Sequence, residues 1–392
     1  MTNAATGTIE RWLDRLGLHR KELRAWALYD WANSAFATTI MAAVLPIYYA
    51  RVAAGELPGN VATAYWGYTV SISVLLVVAL APVLGAIADR AGARKRFLGA
   101  FLVLGVSGTA ALYLVGSGDW LLASVVFILA NVGFNGANVF YDALLPDIAT
   151  PDEVDRISTG GWAIGYLGGG LLLLVNLIMI ERPELFGFAD AGVASRWTFV
   201  SVAVWWAVFS IPLLRNVPET RPQRTETEGD DGVGHIRAAF GRLAETFRAA
   251  RRYPDTFKFL IAFWLYVDGI ETIIKMATIY GTEIGIGQGD LIGALLLVQF
   301  IGIPFTFLFG GLAGRFGPKN GIYIALAAYT GITILGYFMQ EPWHFWALAG
   351  AVGVVQGGAQ ALSRSLFATL IPQGRAAEFF SFYSVFKKSA GI

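Results

Sequence analysis

Residues 257–281 read FKFLIAFWLYVDGIETIIKMATIYG, an apolar stretch long enough to cross a lipid bilayer as a helix. Asp268, Glu271 and Lys275 lie inside it, at spacings of i, i+3 and i+7, so an α-helix would place them on one face. A charge at the centre of a membrane helix costs about 2.5 to 3.5 kcal/mol, and such residues almost always face a bundle interior or a hydrated cavity. The stretch therefore predicts a helix that lines a polar space, with other membrane helices as its walls.

The composition is that of an integral membrane protein, because 56% of the 392 residues are hydrophobic and only 15% are charged. The net charge of +1 gives no reason to expect a nucleic-acid partner. The chain has no cysteine, and its three histidines lie far apart in sequence, so we expect no metal site. We find no nucleophile and base arrangement or phosphate-binding loop, and we therefore expect neither an enzyme nor a cofactor.

Apolar runs of spanning length predict ten complete membrane spans and the start of an eleventh, which begins near Glu378 and is too short to cross. The ten runs cover residues 25–50, 65–88, 97–117, 120–146, 158–180, 197–214, 256–281, 290–313, 320–339 and 344–371. Lysine and arginine are concentrated in alternate loops, and the opposite loops contain only Arg51, Arg182 and Arg196. This asymmetry predicts an all-α, multi-pass protein with a cytoplasmic N-terminus.

The spans divide the chain into two halves around a polar segment. We expect a cytoplasmic amphipathic segment at 1–24, a first transmembrane lobe at 25–215, a linker at 216–255, and a second lobe at 256–392 that is truncated. Basic residues on an amphipathic pattern at 236–252 predict a surface helix that binds anionic lipid headgroups. A solvated charged helix without a lipid role is the alternative.

Two basic, glycine-rich turns suggest that the halves are related. The first, GAIADRAGARKR at 85–96, aligns with GGLAGRFGPKN at 310–320, so that Gly92 matches Gly317. A second pair of stretches shares its spacing: GANVFYD at 136–142 and GAQALSR at 358–364. Coincidence between two basic turns is the alternative, but an internal repeat explains both matches. A duplicated layout is typical of secondary transporters, in which one lobe rocks on the other.

The turn pattern and the basic central loop resemble the major facilitator superfamily. Within it, YDWANSAF at 29–36 and the charged stretch in span seven resemble the "unknown major facilitator" branch, which includes the fungal autophagy-related vacuolar amino-acid effluxers. The resemblance implies a major facilitator fold of two pseudo-symmetric six-helix lobes, with spans one, four, seven and ten around a central path, and it suggests export. The second turn has Gly314 where the first has Asp89, so an acidic gate contact is expected only in the first half.

Polar residues within the predicted spans fall on those same four spans. The candidates for the substrate or proton path are Asp30, Asn33, Asn135, Asn138, Asp268, Glu271, Lys275, Gln356 and Gln360. Residues near the cytoplasmic helix ends form a candidate gate, namely Asp142, Arg364, Asp89, Arg90, Arg94 and Arg315. We expect Arg364 to pair with Asp142 or Asp30 when the inner mouth is closed. A permanent structural ion pair is the alternative.

These features predict a monomeric secondary transporter that moves a small polar solute, an amino acid or related metabolite, by alternating access. We expect Asp268 or Glu271 to exchange a proton in each cycle, whereas static neutralisation of Glu271 by Lys275 is the alternative. A receptor or scaffold that keeps the transporter fold is the second functional hypothesis. We expect the protein in the cytoplasmic membrane of a bacterium, or in the vacuolar membrane of a fungus.

Overall fold

The computed structural model describes residues 18–219, 253–283, 288–372 and 374–389, without side chains at 274–283, 288–289, 291–292 and 389. The secondary structure of the described residues is helical. We number the longer helices in chain order: α1 Lys21–Ala53, α2 Gly59–Ala91, α3 Arg94–Ala111, α4 Trp120–Ile148, α5 Val154–Glu181, α6 Ala191–Asn216, α7 Pro254–Glu283, α8 Gln288–Phe316, α9 Pro318–Tyr337, α10 Pro342–Leu370 and α11 Ala376–Ser389.

Each of the predicted spans coincides with one of the helices α1 to α10. Eight helices of the described chain are long and apolar enough to cross a membrane, which leaves out α7 and α9. These two have 30 and 20 residues, so their length suffices, and their crossing stays a prediction. The final helix α11 has 14 residues, fewer than the roughly 20 that a crossing needs. The predicted surface helix at 236–252 and residues 1–17 lie outside the described residues.

Helix α1 is not a regular α-helix throughout. It is α-helical up to Ala35, continues as a π-helix over Phe36–Val44, and has a second π segment over Tyr49–Ala53. π-Helical segments are rare in proteins, and those that occur are often found at functional sites. Ala37, Thr38 and Met41 of the first π segment line the cavity described below.

Helices α1 to α6 pack mainly on one another, as do α8 to α10, and the two sets meet where α5 contacts α8 and α10. Helix α11 packs on α2 and α4. The largest buried apolar cluster includes Trp206 of α6 but also Phe263 of α7 and Phe380 of α11. A separate cluster joins α7 to α10 around Phe309. Apolar packing therefore crosses between the sets in this conformation, and the lobe boundaries at 25–215 and 256–392 stay predictions.

The two aligned turns each have a glycine with a positive φ at the matching position. Gly92 follows α2 with a φ of 58° and a ψ of 38°, whereas Gly317 follows α8 with a φ of 83° and a ψ of 152°, so the two turns differ in ψ. Only glycine adopts this region of φ without steric cost, so both helices end at a residue suited to a tight turn. The paired glycines support the internal repeat inferred from the sequence.

Close contact between α3 and α4 depends on glycine. A Cβ added to Gly133 would collide with the backbone of Gly105 and lie 2.8 Å from the carbonyl oxygen of Phe101. Small residues allow this approach, which is how membrane helices gain packing energy. The atoms that an added side chain would meet belong to the backbone, which cannot move away by changing rotamer as a side chain can. The two helices would have to move instead.

We predict that Gly133→Ala lowers the thermal unfolding temperature of the purified protein in detergent, with a loss of about 1–3 kcal/mol, because α3 and α4 must move apart. Gly67→Ala is the matched control, since Gly67 lies within α2 and a Cβ there meets nothing within 4 Å. Equal unfolding temperatures for the two variants would contradict the packing described.

Candidate functional site

A large cavity of about 1270 Å³ lies between the helices. Residues of α1, α4, α7 and α10 line it, as the major facilitator resemblance implied, and so do residues of α2, α5, α8, α9 and α11. Its volume is larger than the roughly 300–1,000 Å³ of a typical small-molecule site. The cavity can hold a solute together with water.

Most of the predicted path residues lie on the wall of this cavity, namely Asp30, Asn33, Asn135, Asn138, Glu271, Gln356 and Gln360. Asn33 Nδ2 on α1 donates to Asn138 Oδ1 on α4 at 3.0 Å. Asn135 donates to Asn131 Oδ1 at 2.8 Å, and Asn131 in turn donates to Ser73 on α2. The structure therefore brings the predicted amides of α1 and α4 together.

The charged residues of α7 do not all line the cavity, and a path role for Asp268 stays a prediction. Glu271 lines the cavity, whereas Asp268 is exposed and is absent from the wall. The side chain of Lys275 lies outside the described residues. Residues at i and i+3 are separated by about 60° around a helix of 3.6 residues per turn, so the cavity edge can pass between them.

At one end of the cavity, Arg364 forms a buried cluster with Asp30, Asp142 and Ser158, which we call the arginine cluster. Arg364 Nη1 donates to Asp30 Oδ2 at 3.3 Å and to Asp142 Oδ1 at 3.2 Å. Its Nη2 donates to Asp30 Oδ2 and to the Ser158 carbonyl, and its Nε donates to Ser158 Oγ. Arg364 thus contacts both of its candidate partners, which joins α10 to α1, α4 and α5.

Aromatic rings complete the surroundings of this guanidinium. The Arg364 Cζ atom lies 4.7 Å from the ring centre of Trp26, and 5.6 Å from those of Tyr141 and Trp162. A cation over an aromatic face gains about 2 kcal/mol or more when water is excluded, and Arg364 is only 4% exposed. Ion pairing and ring contacts together offset the cost of burying this charge.

A second buried group of charges, the Asp89 cluster, lies at the turn between α2 and α3. Arg94 contacts Asp89 Oδ1 and Asp147 Oδ2, each at 2.5 Å. The Asp89 carboxylate also accepts hydrogen bonds from the backbone N–H groups of Ala377 (3.1 Å) and Glu378 (2.8 Å). Those groups begin α11, where the helix dipole favours a negative charge. The Asp89 cluster therefore ties α2 to α11.

The other two candidate gate residues do not join these clusters. Arg315 is exposed, and its guanidinium lies 5.3 Å from the ring centre of Phe316 on its own helix. Within the described parts of the chain, neither Arg315 nor Arg90 forms an ion pair. The structure thus gives the two turns unlike contacts, and their gating role stays a prediction.

Both clusters lie at the same end of the helix bundle, which we call the Asp89 end. Asp30 lies near the start of α1, and Asp142 and Arg364 lie near the ends of α4 and α10. The cavity extends from the arginine cluster to residues at the opposite helix ends, including Pro46 and Tyr337. Tyr337 is 82% exposed. Charged groups therefore close one end of the bundle, and the cavity reaches the other end.

Sequence reasoning missed two cations of the cavity wall, Lys387 and Lys388. Both lie in the short α11, where an incomplete span gave no measure of depth. Lys387 Nζ lies 3.4 Å from Gln360 Oε1 and 5.4 Å from the ring centre of Trp162. Helical spacing was the available signal, because the lining residues Tyr383, Ser384, Lys387 and Lys388 repeat at i and i+4.

Comparisons with known proteins show the family to which the chain is similar. Residues 18–392 match the family described as "Vacuole effluxer Atg22 like". The "Uncharacterized MFS-type transporter YxiO" of Bacillus subtilis (strain 168) is 38% identical over 375 residues, which cover 95% of this chain and 86% of the relative. "Autophagy-related protein 22" of Yarrowia lipolytica (strain CLIB 122 / E 150) is 26% identical over an alignment covering 83% of this chain and 68% of that protein.

The fold also matches solved structures. The proton:xylose symporter XylE of the major facilitator superfamily superposes with a TM-score of 0.67 at 16% identity, covering 94% of this chain and 86% of that structure. At this identity the match concerns the fold alone. The family match over nearly the whole chain and this match in fold together identify the family of the chain. The chain belongs to the vacuole effluxer Atg22-like family and has the fold of the major facilitator superfamily transporters.

Proposed function

We propose that this protein is a secondary active transporter that moves a small polar solute, an amino acid or related metabolite, by alternating access. The observation that carries the proposal is a cavity of about 1270 Å³ that buried charges close at one end while it reaches the opposite end. This is the arrangement expected of one state of an alternating-access cycle. The family description as effluxers supports export as the direction.

The chemistry of the cavity wall favours a small solute with polar groups. The wall carries the side-chain amides of Asn33, Asn138, Gln356 and Gln360, which donate and accept hydrogen bonds, and the carboxylate of Glu271. Aromatic and aliphatic side chains such as Trp162 and Leu348 form much of the remaining surface. A zwitterionic amino acid with an apolar side chain has groups for each of these surfaces.

Alternating access requires that the contacts at the Asp89 end break in another state. The arginine cluster joins α10 to α1, α4 and α5, and the Asp89 cluster joins α2 to α11. Both therefore connect the predicted N-terminal lobe to the second lobe. When the lobes rock apart, water replaces each partner, so neither charge is left buried and unpaired.

With the cytoplasmic N-terminus expected from the lysine and arginine distribution, the Asp89 end faces the cytoplasm. The conformation described is then closed to the cytoplasm and open to the opposite side. In a bacterium the site of action would be the cytoplasmic membrane, and in a fungus the vacuolar membrane.

Proton coupling, if it uses α7, falls to Glu271 because this carboxyl group faces the cavity and Asp268 does not. A carboxyl group in a hydrated cavity can gain a proton in one state and release it in the other. Neutralisation of Glu271 by Lys275 remains the alternative for its role.

We predict that Glu271→Gln abolishes flux driven by a pH gradient in proteoliposomes and leaves solute exchange intact, because the amide cannot carry the proton. Asp268→Asn is the matched control three residues earlier on α7, and it should retain driven flux. Loss of driven flux in Asp268→Asn with full activity in Glu271→Gln would contradict this assignment.

We predict that charge reversal at Arg364 (Arg364→Glu) or at Asp142 (Asp142→Arg) lowers uptake by about tenfold or more, because each leaves buried charges without their partners. Combining the two should restore part of the uptake, since opposite charges again face each other. Lys258→Glu, a reversal at an exposed lysine near the start of α7, is the control and should transport normally.

If the double-reversal protein folds but its uptake is not restored, the pairing between Arg364 and Asp142 is not the contact that closes the gate. Normal uptake in both single variants would contradict the gate itself. The protein is a receptor or scaffold instead if the parent protein moves no solute and the variants at Glu271, Arg364 and Asp142 still bind the protein's partners normally.

A further inference from the structure

One cation of the cavity wall, Lys387, uses only part of its hydrogen-bonding capacity within the described residues. Arg364 has five N–H donors, and its five hydrogen bonds go to Asp30, Asp142 and Ser158. Lys387 has three donors, and among the described residues its one hydrogen bond is the 3.4 Å contact with Gln360 Oε1. Arg364 therefore has no donor to offer a solute, whereas Lys387 does.

The position of Lys387 is deep enough to meet a solute. Helix α11 begins at the Asp89 end, where the Ala377 N–H bonds Asp89, and Lys387 lies ten residues further along. At 1.5 Å per residue this is about 15 Å into the bundle. The ammonium lies 5.4 Å from the ring centre of Trp162, and an aromatic face holds a cation without neutralising it.

The ion pairing around Lys387 also favours an anionic group. The wall carries the carboxylates of Asp30, Asp142 and Glu271 and the cations of Arg364, Lys387 and Lys388. Asp30 and Asp142 are both hydrogen-bonded to Arg364, and no salt bridge of 4.0 Å or less joins either of them to Lys387. The two carboxylates at this end of the cavity are thus paired with Arg364 and not with Lys387.

We propose that Lys387, with Gln360 and Trp162, forms a subsite that binds the carboxylate of the transported solute. The inference rests on the proposed function, because it identifies which pole of an amino acid this cavity recognises and where. A carboxylate accepts charge-assisted hydrogen bonds from an ammonium, which are about twice as strong as neutral ones. The Gln360 oxygen orients the ammonium.

The test compares each of the twenty L-amino acids with its α-carboxamide, by the thermal stabilisation that each gives to the purified protein. The two probes differ at the carboxylate, so their ratio of affinities reports on this subsite. In the parent protein we expect the best-binding amino acid to exceed its amide by about tenfold or more. In Lys387→Gln the ratio should fall to about one through loss of acid binding, while amide binding is unchanged.

Three further variants make the result specific. Lys387→Arg should retain the preference for the acid. Lys258→Gln, at an exposed lysine near the start of α7, should behave as the parent protein. Gln360→Leu should reduce the preference severalfold, and it provides the test if Lys387→Gln does not fold. Unchanged preference for the acid in folded Lys387→Gln, or in folded Gln360→Leu where the first variant is lost, would overturn the subsite.

The failure of the substrate class is a separate outcome. If the parent protein neither binds nor transports any of the amino acids, the proposed amino-acid function fails. The subsite is then tested with acetate and butyrate as carboxylate probes. Binding that disappears in Lys387→Gln supports it, whereas equal binding in both proteins, or none in either, overturns it.

Discussion

The guanidinium of Arg364 is buried inside an apolar bundle, and the need to pair this charge constrains how four helices meet. Arg364 is 4% exposed, and a charge so placed is tolerated only when its donors are paired. Asp30, Asp142 and Ser158 supply that pairing from three different helices. Helices α1, α4, α5 and α10 must therefore meet at this point. The cavity begins beside the cluster, and Asp30, Asp142 and Arg364 line this end of it.

The same constraint acts at the Asp89 cluster, where the helix start of α11 takes part. Asp89 is paired with Arg94 and also caps α11 through two backbone N–H groups. These two charged layers close the Asp89 end by contacts that water can replace, whereas apolar packing between α3 and α4 has no such substitute. This difference explains how one end of a well-packed bundle can open while the helices within each set keep their positions.

Much of this arrangement was predictable from the sequence, and the exceptions have physical causes. Long apolar runs located the helices, and the polar residues Asn138 and Arg364 stood out because polarity at membrane depth is costly. Periodicity placed Asp268 and Glu271 on one polar stripe, but it does not show where the edge of the cavity falls, and Glu271 of the two lines the cavity. Lys387 was missed because α11 is too short for its depth to be inferred. No feature of the local sequence predicted the π segment at Phe36–Val44.

If the Asp89 end opens during the transport cycle, a buried residue beside Arg364 must become accessible to reagents in solution. Ser365 is fully buried, and the chain has no cysteine, so Ser365→Cys would provide a single thiol at the closed end. Its reaction with a maleimide applied to the purified protein should be slow, should accelerate when the transported solute is added, and should accelerate without solute when Arg364→Gln is also present. A reaction rate unaffected by either change would contradict the account, because the charged layers would then be permanent parts of the fold.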